Sequence, residues 1–171
     1  MISTIQHLKL EHPIVDYVTM YGFSTENWTR SKQEIADLWN VFEGFSNNFR
    51  GWAMEHNVRV RILGDISDDR IPDSLRQSLI KLQEDTTPTM NNMDEDDIPS
   101  LTFSLAINYG GRQDIINASR KMVNLISNGE MSMDDLDKND VLEGFLSTSG
   151  IPDPGMFDCL LHCFSSFAIF F

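Results

Sequence analysis

The 171 residues predict an α/β fold, a central parallel sheet flanked by helices in a single domain. Three observations carry that prediction. The short segments Tyr17-Val18-Thr19-Met20-Tyr21, Val58–Leu63 and Leu101-Thr102-Phe103-Ser104-Leu105-Ala106-Ile107 are rich in β-branched and aromatic residues. A stretch of helical period follows each of them. No internal repeat divides the chain. The order β-α-β-α-β-α then requires crossover connections between parallel strands.

The first strand gives way to a polar cluster, Ser24-Thr25-Glu26-Asn27-Trp28-Thr29-Arg30. Ser31 and Glu34 then have the spacing of a capping box. Behind them Ile35, Leu38, Phe42, Phe45, Phe49 and Trp52 recur every three or four residues, a long amphipathic helix ending near His56-Asn57. The second strand alternates with period two and stops at Gly64-Asp65. Pro72 opens a helix carrying Leu75, Leu79 and Leu82. Residues 86–100, with two prolines and the run Asp94-Glu95-Asp96-Asp97, read as a solvated loop. The third strand is broken by Asn108-Tyr109-Gly110-Gly111-Arg112. Ile115, Ile116, Met122, Val123 and Ile126 mark the next helix, with Gly129 as its stop. Residues 132–146 are expected to form one more, acidic helix.

A chain of this length can bury roughly 70% of its unfolded surface, so no disulfide or metal staple is needed. The net charge of −13 argues against a nucleic-acid binder, which would carry a basic face. Residues 1–80 hold 8 of the 13 basic side chains, and residues 81–171 hold 15 of the 26 acidic ones. Two cysteines, Cys159 and Cys163, suit one helix face better than a bridge, which points to a reducing, cytoplasmic compartment. The apolar stretch at 159–171 is too short to span a bilayer, which takes about 17–25 residues.

In parallel α/β sheets ligands bind beyond the carboxyl ends of the strands. Each polar cluster directly follows a strand, so the fold brings residues 24–30, 64–65 and 108–112 to one edge. Arg30 offers a planar fork of donors suited to phosphate, with Ser24 and Asn27 adding uncharged hydrogen bonds and Phe23 and Trp28 adding apolar surface. The set suits a ligand with an anionic head and a greasy body, and it equally suits a helix cap with a surface arginine. Gly110-Gly111 lets backbone approach a ligand, and the next helix offers its N-terminal amides. An ordinary strand-to-helix turn would look the same. Asp65 reads as a turn cap. No metal-ligand spacing stands out: Cys159, His162 and Cys163 lack a second ligand pair.

The string Phe23-Ser24-Thr25-Glu26-Asn27-Trp28-Thr29-Arg30 closely resembles the signature of the cis-prenyltransferases, the undecaprenyl and dehydrodolichyl diphosphate synthases. The pattern continues in Val60-Arg61-Ile62-Leu63-Gly64-Asp65, in Ala106-Ile107-Asn108-Tyr109-Gly110-Gly111-Arg112 and in Ile151-Pro152-Asp153-Pro154. The resemblance implies a dimeric enzyme that condenses isopentenyl diphosphate onto an allylic diphosphate with Mg²⁺. It implies Ser24, Asn27 and Arg30 as catalytic residues, and Phe23, Trp28, Glu34, Asn108 and Arg112 as substrate-binding residues. It covers residues 16–154, leaving 1–15 as an N-terminal extension and 155–171 as a divergent apolar tail.

The resemblance also fails in two places. Family members carry a His-x-x-x-Met-Asp-Gly-Asn-x-Arg-Trp motif before the first strand, whose Asp helps bind Mg²⁺. They carry an Arg-rich motif after the position of Pro154. Neither string occurs here, and no Arg or Lys follows Lys138. The domain is therefore expected to be incomplete relative to the family, to lack the usual metal ligands, and to be inactive alone. The alternative is a non-catalytic subunit of a heteromeric cis-prenyltransferase. The tail could pack on the sheet, aggregate, or touch the endoplasmic reticulum membrane peripherally.

Overall fold

Three strands run parallel where the sequence places them: β1 (Tyr17–Ser24), β2 (Val58–Leu63) and β3 (Leu101–Tyr109), with β3 in the middle. The structure, a computed structural model, describes residues 1–88, 99–138 and 140–152, and the backbone of residues 160–163 and 167–170. Every residue of β3 except Tyr109 is buried, as expected of a strand covered on both faces. Val18 and Met20 of β1, Val58 and Val60 of β2, and Leu101, Phe103, Leu105 and Ile107 of β3 belong to one core cluster.

Helices α2 (Lys32–Glu55) and α3 (Asp73–Asp85) complete that core. The capping box forms as expected, with Ser31 and Glu34 closing α2 reciprocally. Its buried face is Trp39, Phe42, Phe45, Ser46, Phe49 and Ala53. Phe45 stacks on Phe49, and both rings meet Phe103. Leu75, Leu79 and Leu82 of α3 are fully buried, each contributing about 1.5–3 kcal/mol. A helix that the sequence reading did not place, α1 (Ile2–Glu11), precedes β1 and puts Ile5 into the core.

Four expectations are corrected. Pairing of Ser24 with Tyr109 extends β1 and β3, so Asn108 and Tyr109 are strand residues rather than the break. Helix α4 (Gly111–Ser127) begins at once after Gly110. The single acidic helix at 132–146 is instead a 3₁₀ turn, Met133–Asp137, and a short α5 (Val141–Phe145). Ser132 and Asp135 close the turn on itself, and Asp140 takes a left-handed φ of 66°, which no continuous helix accommodates. Cys163 lies in a strand, β4 (Leu160–Cys163), rather than on a helix, because β4 pairs with β5 (Phe167–Phe170). Cys159 lies outside the described residues, as do 89–98 of the expected loop and the quoted Asp153-Pro154.

β5 runs antiparallel along β1, giving the order β2-β3-β1-β5-β4. At the other edge, α3 covers β2. The Val60 N–H donates to Thr86 Oγ1 at 3.0 Å and the Ile62 N–H to Gln83 Oε1 at 2.7 Å. Helix α4 is covered much less: only Ala118 is buried, while Ile115, Ile116 and Val123 are exposed.

Candidate functional site

Because β1, β2 and β3 are parallel, their carboxyl ends and the segments that follow lie along one edge. Asn108 ties those segments together. Its Oδ1 accepts the Trp28 indole N–H at 2.8 Å, and its Nδ2 donates to the Asp65 carbonyl at 2.8 Å. Asn108 is 5% exposed and has a φ of 50°, a left-handed value that Asn tolerates better than most residues. The Asp65 N–H returns a bond to the Asn108 carbonyl at 3.4 Å. Gly110 faces Thr25 so closely that a Cβ there would stand 2.5 Å from the threonine hydroxyl. Gly64, at φ 102°, would drive a Cβ into the Ile107 carbonyl. The convergence expected from topology is thus present as direct contacts.

The first cluster folds into a 3₁₀ turn, Thr25–Thr29, closed by a capping box. The Ser24 N–H donates to Asn27 Oδ1 at 2.7 Å, and Ser24 Oγ accepts the Glu26 N–H at 3.1 Å. These bonds account for the oxygen of the Asn27 amide and leave its NH₂ with no acceptor among the described residues. Phe23 is wholly buried and meets the rings of Trp28 and Trp39, an aromatic cluster running from the site into the core. Trp28 is half-buried, its indole N–H on Asn108 and its ring tilted at 60° to Trp39 with the centroids 5.7 Å apart. Glu34 is spent locally: its Oε2 accepts from the Ser31 hydroxyl and N–H, and those bonds hold its carboxyl below the ordinary range.

Arg30 ends the 3₁₀ turn and Arg112 lies in the first turn of α4; both are exposed and neither forms an ion pair among the described residues. Gly110 caps α4 without a side-chain bond, so the first amides of α4 have no capping side chain. Nearby carboxylates are engaged locally. Asp65 caps Ser67, and Asp114 accepts from the Ser147 N–H and hydroxyl. Burial, with Asp114 and Tyr21 adding, pushes the Tyr109 hydroxyl up.

The loop after β2 adds a residue that the sequence reading passed over. The Arg70 guanidinium carbon lies 3.9 Å above the Trp28 ring, while its Nε and one terminal nitrogen pair with Asp68. The bond to Arg70 is the main cause that brings the Asp68 carboxyl down to about 2. The available signal is the string Asp68-Asp69-Arg70, which begins four positions after the strand-end Gly64, but nothing local shows that it folds back over Trp28.

Among the described residues no group of three or more His, Cys, Asp or Glu side chains is placed to hold a metal ion. Asp65 and Asp68, the carboxylates beside Asn108, are committed to Ser67 and Arg70. No helix among the described residues is long and apolar enough to cross a membrane.

A family model described as putative undecaprenyl diphosphate synthase matches residues 4–158. The (2E,6E)-farnesyl-diphosphate specific ditrans,polycis-undecaprenyl-diphosphate synthase of Micrococcus luteus is 35% identical over 140 residues, covering 82% of this chain and 51% of that protein. An isoprenyl transferase of Clostridium perfringens is 32% identical over 142 residues, 83% of this chain and 51% of that one. The chain spans about half the length of the curated relatives it matches. A lavandulyl diphosphate synthase of Lavandula x intermedia, solved with dimethylallyl diphosphate, superposes with a TM-score of 0.69 at 24% identity, over 89% of this chain and 61% of that one. A probable undecaprenyl diphosphate synthase of Campylobacter jejuni gives 0.64 at 25%, over 86% and 63%.

Proposed function

The chain belongs to the undecaprenyl diphosphate synthase family of prenyltransferases, and on that premise we propose that its strand-end site binds the allylic diphosphate of a cis-prenyl transfer. The reaction forms a carbon–carbon bond between the alkene terminus of isopentenyl diphosphate and C1 of the allylic diphosphate, breaks the allylic C1–O bond so that inorganic diphosphate leaves with its electron pair, and releases one proton from the isopentenyl unit. Arg30 and Arg112 supply cationic forks, Ser24 and Asn27 supply neutral polar groups around the same head, and Asn108 contributes to substrate binding by holding the segments that carry them. Trp28, backed by Phe23, walls the start of the prenyl chain and keeps water from the ionising carbon. The observation that carries the reading is the hydrogen-bonded bridge from Trp28 through Asn108 to Asp65, which locks the ends of all three strands into one cradle.

The 171-residue chain lacks the Met-Asp-Gly-Asn string and the Arg-rich string of the family, so by itself it binds rather than elongates. The test is incubation with farnesyl diphosphate, labelled isopentenyl diphosphate and Mg²⁺, with binding followed in parallel by tryptophan fluorescence. Binding of farnesyl diphosphate that the Arg30→Gln substitution weakens, without elongation, supports the reading. Robust elongation overturns the inactivity, and no binding overturns the site.

A second reading, a subunit that supports a catalytic partner, is favoured by the exposed Ile115, Ile116 and Val123 of α4. An apolar helix face that the described residues leave exposed suits an interaction surface. The partner is then a related prenyltransferase subunit or a second copy.

A further inference from the structure

We propose that Arg70 is an additional anion-holding residue of the strand-end site, kept in reserve by Asp68 and held in place by the Trp28 ring. This rests on the diphosphate reading above and adds a group from the one strand end to which that reading assigned no cation.

The loop between β2 and α3 is built to hold Arg70 still. Arg76 of α3 reaches back with three donations, to the carbonyls of Ile66, Asp68 and Ile71. Asp65 caps the loop through Ser67, and Asn108 holds the Asp65 carbonyl from the site side. Asp68 also accepts the Arg70 backbone N–H at 3.0 Å. On this frame the guanidinium lies over Trp28 at 3.9 Å, and Trp28 is the chain neighbour of Asn27.

Only part of its hydrogen-bonding capacity is used. Nε donates to Asp68 Oδ1 at 2.9 Å and one terminal nitrogen to Oδ2 at 2.7 Å. The other terminal nitrogen has no acceptor among the described residues, and the side chain is 58% exposed. Five donors in a fixed fork, two of them engaged, leave an open edge for a phosphate oxygen. Stacking on the indole face also orients a cation that is weakly hydrated. With Arg70, each of the segments that follow β1, β2 and β3 contributes one arginine: Arg30, Arg70 and, in the first turn of α4, Arg112.

Asp68 competes with the ligand for Arg70, and this gives the proposal a sign that a purely structural clamp would not have. Inorganic pyrophosphate is titrated into the full 171-residue chain by calorimetry, for the parent and for Arg70→Gln, Asp68→Asn and the double variant. Arg70→Gln is expected to weaken pyrophosphate about tenfold, the scale of one charge-assisted hydrogen bond. Asp68→Asn is expected to tighten it several-fold, by roughly 3–10, because the competing charge is gone. The double variant should match Arg70→Gln. If Asp68→Asn weakens binding or leaves it unchanged, or if Arg70→Gln has no effect, the role of Arg70 is overturned while the diphosphate site stands. If the parent chain binds no pyrophosphate, the site itself falls and the proposal with it. The Trp28 indole N–H resonance checks in each variant that the Asn108 bridge is intact.

Discussion

The side-chain oxygen of Gln83 accepts the backbone N–H of Ile62 at 2.7 Å, which places an α3 side chain where the next strand of the sheet would pair. Thr86 does the same for Val60 at 3.0 Å. Helix α3 thereby satisfies two donors along the outer edge of β2, a position at which an open strand invites pairing with another chain.

Replacing Gln83 with Leu should therefore cost about 1 kcal/mol in urea unfolding, and adding Thr86→Val about 1 kcal/mol more, since each leaves a strand N–H without its partner. The double variant should also associate through the bared edge. Sedimentation velocity that shows no gain in association, with an unchanged denaturation midpoint, would contradict the capping role.

Asn108 is expected to resist substitution more than any surface polar residue. Asn108→Ala removes both side-chain bonds from a residue that is nearly buried and left-handed, at a cost of about 2–4 kcal/mol. Asn108→Gly relieves the backbone but not the lost bonds, so it should recover about 1 kcal/mol of that loss. Thermal unfolding of the two variants separates the terms. Equal stabilities would show that the left-handed backbone carries no cost.

Asp68 makes acid stability depend on one loop. Its carboxyl lies near 2 in the folded chain against an ordinary 3.8, with the bond to Arg70 the first cause. A carboxyl depressed in this way stabilises the fold in full above its unfolded value, and that contribution is lost as pH falls through about 4 towards about 2. With allowance for solvent screening at a partly exposed pair, the contribution is about 1 kcal/mol. Asp68→Asn should remove that share at neutral pH and flatten the pH dependence of unfolding between pH 4 and 2. A variant with the parent's acid profile would refute it.

Much of the fold was legible because local signals and burial agreed. Val58 and Val60 are buried as the alternation at 58–63 requires, the Ser31–Glu34 capping box opens α2, and the leucines at 75, 79 and 82 line the buried face of α3. The signals failed where a neighbour had the last word. Asn108 and Tyr109 look like a turn in isolation, yet pairing of Ser24 with Tyr109 keeps them in the sheet. Helix α1 carries Ile2, Ile5 and Leu8 without a side-chain cap, a weak signal until the core receives Ile5. The acidic segment at 132–146 has helical composition, but its Ser132 box closes after one turn.

For the site, the order of residues already shows which strand ends carry polar clusters, because chain direction in a parallel sheet brings all carboxyl ends to one edge. It also supplied the residues that tie the chain to its family. That Asn108 joins Trp28 to Asp65 and that Arg70 lies on Trp28 emerges from the packed fold alone. Those contacts link residues 80, 43 and 42 positions apart, and a contact across such a span depends on the closing of a sheet and the course of a loop, which no local pattern of residues records.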